Sequence, residues 1–143
     1  MGSHTVLVVG AGLMGAGIAQ VAAQAGHVVL LMDAREGAAA AARDQLAATF
    51  DALVAKGRLA PDAAQAALAR IRPIAALAEA GEASLVVEAI VEQLDAKRAL
   101  FRALEAVVAP TAILATNTSS ISVTAIANGL QHPGRLVGMH FFN

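Results

Sequence analysis

At 143 residues the chain is long enough for one domain with a full core and too short for two of ordinary size. Its net charge of −1, with no basic run or interleaved aromatics, argues against nucleic acid as a partner, and the absence of cysteine excludes disulfides and thiolate zinc sites. A reducing, cytoplasmic setting fits. Hydrophobic residues make up 57% but aromatics only 3%, so the core is expected to rest on Val, Leu and Ile with close alanine contacts between helices.

Met1–His4 lacks the basic region of a signal peptide and is left out of fold reasoning. Thr5–Gly10 ("TVLVVG") reads as a strand buried on both faces. A helix follows from Leu13 to Ala25, with Leu13, Ile18, Val21 and Ala22 as its apolar set and Gly26 as a left-handed terminator. Although Thr5 to Met32 contains no Asp, Glu, Lys or Arg and could span a bilayer by length, its glycines with Gln20, Gln24 and His27 indicate strand, turn and helix instead. No membrane association is expected.

His27–Asp33 is a second strand, and Arg35 to Lys56 a long helix carrying Leu46, Phe50, Leu53 and Val54, closed by Gly57. Pro61 opens another helix to about Ala69. Ile71–Ile74 is a short edge strand, because Pro73 cannot donate to a ladder. Ser84–Ala89 is a fourth strand, Gln93 to Val108 a helix with Leu94, Leu100, Phe101 and Leu104 inward, and Ala112–Thr116 a fifth strand. A short helix over 123–128 leads to a sixth strand, "RLVGMHF". Strands alternating with helices predict an open parallel α/β sheet with right-handed crossovers, doubly wound, with a helical excursion after the second strand.

"GAGLMG" sets Gly10, Gly12 and Gly15 between a strand and a helix. The first permits the tight turn, the second lets the backbone approach a pyrophosphate, and the third lets the helix pack closely on the strand. Asp33 ends the next strand about twenty residues on, where a carboxylate accepts hydrogen bonds from the adenosine ribose hydroxyls. Together they predict a dinucleotide site, and the carboxylate favours NAD over NADP. Arg35 is a counter-signal, read as a solvated charge in the first turn of the next helix.

Glu88 and Glu92 follow the fourth strand, "TNTSS" the fifth, and His140 ends the sixth. All then fall on the carboxyl edge with Gly12 and Asp33, where such sheets bind ligands. Taken singly, Glu88 reads equally as a helix-entry charge, Ser119 or Ser120 as a cap, and His140 as a half-buried histidine. Their convergence favours chemistry at His140 and the Ser119 cluster. His27 and His132 lie on the opposite edge, and no histidine pair has metal-ligand spacing, so no metal is expected.

From "VGAGLMGAGIAQVAAQAGHVVLLMD" through "VVEAIVEQLDAKRALF" and "NTSSISVTAIA" to "GMHFFN", the chain resembles the N-terminal NAD-binding domain of the L-3-hydroxyacyl-CoA dehydrogenases. The resemblance implies a Rossmann-type sheet over residues 5–143, with NAD as cofactor and an acyl-CoA as substrate. It places Gly10, Ala11, Gly12, Leu13, Met14, Gly15 and Asp33 on the pyrophosphate and ribose. Glu92, Lys97, Ser119 and Asn143 fall near the nicotinamide half, and Thr49 and Lys56, together with Ser119, on the substrate's coenzyme A side. It implies His140 as general base on the 3-hydroxyl as hydride leaves C3, with Ser119 hydrogen-bonding the reacting oxygen.

In that family the histidine's carboxylate partner, and a helical domain that closes the site and forms the dimer, come after the "HFFN" asparagine. The expectation is therefore a cofactor domain with little or no turnover alone. Two other readings stay open: a stand-alone NAD-binding regulatory module, and an enzyme acting on a free 3-hydroxy acid.

Overall fold

The computed structural model describes residues 2–141. Its elements are β1 (Thr5–Val9), α1 (Leu13–Gln24), β2 (Val28–Met32), α2 (Ala38–Ala55), α3 (Pro61–Arg70), β3 (Ile71–Pro73), β4 (Leu85–Glu88), α4 (Leu94–Val107), β5 (Ile113–Thr116), α5 (Val123–Ala127) and β6 (Leu136–Gly138). The six strands form one parallel sheet in the order β3-β2-β1-β4-β5-β6, so β3 is an edge strand as its proline requires. The doubly wound parallel α/β class expected from the sequence is what folds, with the order reversing between β1 and β4.

Period-two alternation gives the central strands β1 and β2 two buried faces. Val6, Val8, Val29, Leu31 and Ile71 pack under α1, α2 and α3, while Leu7, Leu30, Val86, Leu114 and Leu136 pack under α4 and α5. With few aromatics, small residues make the closest contacts: Ala19 and Ala23 are fully buried on α1. Arginines then close chain ends that the helices leave open. Arg43 donates to the carbonyls of Ile71 and Leu68, Arg70 to Ala23, and Arg135 to Ala109 and Ala112.

On the α1 side, the half of the sheet formed by β4, β5 and β6 carries no helix among the described residues. Val21 is 60% exposed and Ile113 50%, beside a groove of about 530 Å³ that Leu85, Met139 and Phe141 also line. Val21, grouped by the sequence with the apolar set of α1, therefore points to this open half. Leu13, 79% exposed, stands at the start of α1.

The register fixes what lies at the carboxyl edge. Val9 pairs with Glu88, Glu88 with Thr116, and Thr116 with Gly138, so one row of the sheet ends in an acid beside a hydroxyl. By alternation this row points to the α4 side, the face of Val86 and Leu114.

Candidate functional site

The turn after β1 needs glycine at two places for different reasons. Gly10 has φ +110°, and a Cβ there would press on the backbone of Ala89. At Gly15 a Cβ would overlap the carbonyl of Gly10, its position lying 2.7 Å from the carbonyl carbon, so α1 can approach the strand only without a side chain. Gly12 differs: nothing lies within 4 Å of a Cβ built there. That open space sits at the N-terminus of α1, which has no side-chain cap and no acidic residue in its first turn. Its uncapped N–H groups and positive dipole end fit a pyrophosphate.

Asp33 closes the other side of this turn. Its Oδ2 accepts from the Ala11 N–H at 2.7 Å and from Arg35 Nη2 at 3.2 Å, and its Oδ1 from the N–H and Nε of Arg35 at 2.8 and 3.0 Å. Arg35 is thus bound to the acid rather than only solvated, although its side chain is 70% exposed. The Arg35 guanidinium, helped by the two backbone N–H groups, outweighs burial and holds the Asp33 carboxyl at about 2.

The carboxyl-edge residues meet as one hydrogen-bonded set. Glu88, wholly buried, accepts from the Thr116 hydroxyl at 2.6 Å, from the Ile90 N–H at 2.7 Å and from Lys97 Nζ. Lys97, also buried, reaches across to Glu92 Oε1 at 3.0 Å. Glu92 Oε2 in turn accepts from the Thr118 and Ser120 hydroxyls at 2.9 and 2.7 Å. Burial by itself would push the Glu92 carboxyl up, but the Ser120, Lys97 and Thr118 hydrogen bonds outweigh it and hold the group at about 2.

Because the folded values of Glu92 and Asp33 lie below their ordinary 4.5 and 3.8, the stability they contribute is complete above about pH 4.5. It is lost as pH falls through about 2. Urea midpoints are therefore expected to hold level between about pH 7 and pH 5 with respect to these groups and to drop steeply below. Removal of the Asp33 and Glu92 charges (Asp33→Asn with Glu92→Gln) should flatten that drop.

A cavity of about 210 Å³ opens beside this set, lined by Met14, Glu92, Lys97, Asn117, Ser119 and His140 with the backbone turn at Ala89 and Ile90. The larger, mainly apolar groove carries His4, His27, Ser84 and Thr111 but no carboxylate, lysine or arginine, whereas the smaller space joins an acid, an ammonium and an imidazole, and chemistry therefore points to it. Asn117 supports its far wall, since its side-chain oxygen accepts from the Phe141 N–H at 2.8 Å.

Of the residues expected to act together, Met14, Glu92, Lys97, Ser119 and His140 do line one space. β6 stops at Gly138, so His140 is not a strand residue as expected. It is exposed, one residue beyond Met139, whose N–H continues the ladder to Thr116. Thr49 and Lys56 are exposed on and just after α2 and do not line the cavity; the Thr49 hydroxyl donates to the Gln45 carbonyl. Asn143 lies outside the described residues. Glu88 and Thr116, placed on this edge by the sequence, were given no role there. The signal available was a glutamate ending an apolar strand one helical entry before a lysine.

The family profile described as "3-hydroxyacyl-CoA dehydrogenase, NAD binding domain" matches residues 5–143. Among curated proteins, the chain is 45% identical over 140 residues to 3-hydroxyadipyl-CoA dehydrogenase of Escherichia coli K12, covering 98% of this chain and 30% of that protein. It is 43% identical over 136 residues to a probable 3-hydroxybutyryl-CoA dehydrogenase of Deinococcus radiodurans, covering 95% and 49%. The crystal structure of 3-hydroxybutyryl-CoA dehydrogenase from Escherichia coli K12 superposes with a TM-score of 0.96 at 44% identity, over all of this chain and 30% of that one. The chain thus spans between about a third and a half of the length of these relatives.

Proposed function

We infer, from the premise that this chain belongs to the NAD-binding domain family of the 3-hydroxyacyl-CoA dehydrogenases, that it serves an oxidoreductase interconverting L-3-hydroxyacyl-CoA and 3-oxoacyl-CoA. The observation that carries this reading is the single cavity joining the glycine turn, through Met14, to Glu92, Lys97, Ser119 and His140. When bound, NAD supplies the hydride acceptor or donor. The N-terminus of α1 holds the pyrophosphate over Gly12, and Asp33 receives the ribose hydroxyls. Ser119 orients the reacting oxygen, and His140 takes the 3-hydroxyl proton or returns it in the reverse direction. From α2, Thr49 and Lys56 face the coenzyme A moiety, Lys56 offering an ammonium to a phosphate.

Calorimetric titration with NADH and NADPH tests the cofactor half. NADH is expected to bind the more tightly, and Asp33→Asn to narrow the difference by about ten- to a hundredfold, as a charge-assisted acceptor is lost and Arg35 is released toward a 2′-phosphate. Failure of both nucleotides to bind overturns the reading. NADH oxidation with acetoacetyl-CoA, assayed on this chain and on a version extended through a C-terminal domain, tests the other half. In whichever form turns over, His140→Ala should cost about 10²–10⁴ in kcat. Absence of turnover in both favours a binding module.

A further inference from the structure

We propose that Glu88 is a positioning residue for the nicotinamide end of the cleft, where the Glu88–Lys97–Glu92 set leaves one net negative charge that favours the oxidised, cationic nicotinamide over the reduced, neutral one. The proposal rests on the reading of the cleft as an NAD site. A carboxylate taken wholly out of water is costly unless it is paired and hydrogen-bonded, and both Glu88 oxygens are engaged, by Thr116 on one side and by Ile90 and Lys97 on the other. Glu88 does not itself line the cavity, whereas the lysine it holds does.

Lys97 is fixed between two acids, Glu88 behind it and Glu92 in front, and a single ammonium cannot neutralise both. Among the described residues lining the cavity, Lys97 is the sole lysine or arginine and Glu92 the sole acid. In a partly buried site the remaining unit of charge acts on a ligand several ångströms away with little screening. Oxidation places a formal positive charge on the nicotinamide ring and reduction removes it, so the same cleft holds the two redox forms differently.

The test is to measure dissociation constants for NAD+, NADH and ADP-ribose by calorimetry on the wild type, E88Q, K97M and E88Q/K97M. With every carboxylate ionised, these substitutions set the formal charge of the set at zero, minus two and, in the double variant, back at minus one. The ratio of Kd for NAD+ to that for NADH is expected to rise about fivefold in E88Q, to fall in K97M, and to return to within about twofold of the wild type in the double variant. ADP-ribose, which lacks the nicotinamide, should bind all four alike. A ratio unchanged across the variants, or moving the same way in E88Q and K97M, overturns the proposal, as does an equal loss of all three ligands. Where E88Q does not fold, the comparison of K97M with the double variant decides by the same criterion. A wild type that binds none of the three ligands overturns the NAD reading itself, which is a different result from binding with a flat ratio.

Discussion

Gly15→Ala is expected to cost this fold about 3 kcal/mol or more of unfolding free energy, among the largest effects of any single methyl group in the molecule. A Cβ at that position overlaps the Gly10 carbonyl, and the obstacle is backbone rather than the end of a flexible side chain. Relief requires α1 to move off β1, and α1 carries Ile18, Ala19 and Ala23 into the core. Gly12→Ala is the informative contrast. Its Cβ meets nothing within 4 Å, so stability should change by less than about 1 kcal/mol, the scale of a helix N-cap exchange. The added methyl would instead enter the space assigned to the pyrophosphate, and NADH affinity should fall by tenfold or more. Urea denaturation and NADH titration on the two variants read these separately. Equal stability losses would sink the assignment of packing to one glycine and ligand approach to the other.

Glu88→Ala is expected to cost about 2–4 kcal/mol, because it leaves the buried Lys97 ammonium with the half-exposed Glu92 as its one remaining carboxylate. The same substitution strips the Thr116 hydroxyl of its acceptor. Replacing the pair together, as E88Q/K97M, removes both charges from the interior and should recover most of the loss. Thr116→Val, which leaves the ion pair in place, should cost less, about 1–3 kcal/mol. Urea midpoints with unchanged slopes check the series, and a Glu88→Ala protein within about 1 kcal/mol of the wild type would show that water reaches the pair freely.

These two sites differ in how readable they are. The roles of Gly10 and Gly15 follow from spacing alone, since a strand that turns at once into a helix leaves no room for side chains there. The apolar runs likewise define the first five strands within a residue or two, and Pro73 marks the edge. Glu88 was open between a solvated charge and a cleft residue because a run such as "LVVEA" does not reveal which face its last residue takes. Only the register against Thr116, and the arrival of α4 over that face, bury it. Val21 shows a second limit. Helical periodicity groups it with Ile18 and Ala22, but whether that stripe has a partner depends on the layer over β4 to β6. His140 lies past a strand shorter than its apolar run, because Gly138 closes the regular ladder and only the Met139 N–H continues it.

The Asp33–Arg35 contact has a kinetic consequence. With Ala11 and Arg35 supplying four donors, every acceptor position on the carboxylate is in use before a ribose arrives. On the proposed reading, cofactor entry there is a substitution: the incoming hydroxyls replace the guanidinium, and hydrogen bonds are traded rather than added. On that reading Arg35 would act as a leaving group for the site, keeping the acid ordered until the cofactor arrives and moderating residence time rather than encounter rate.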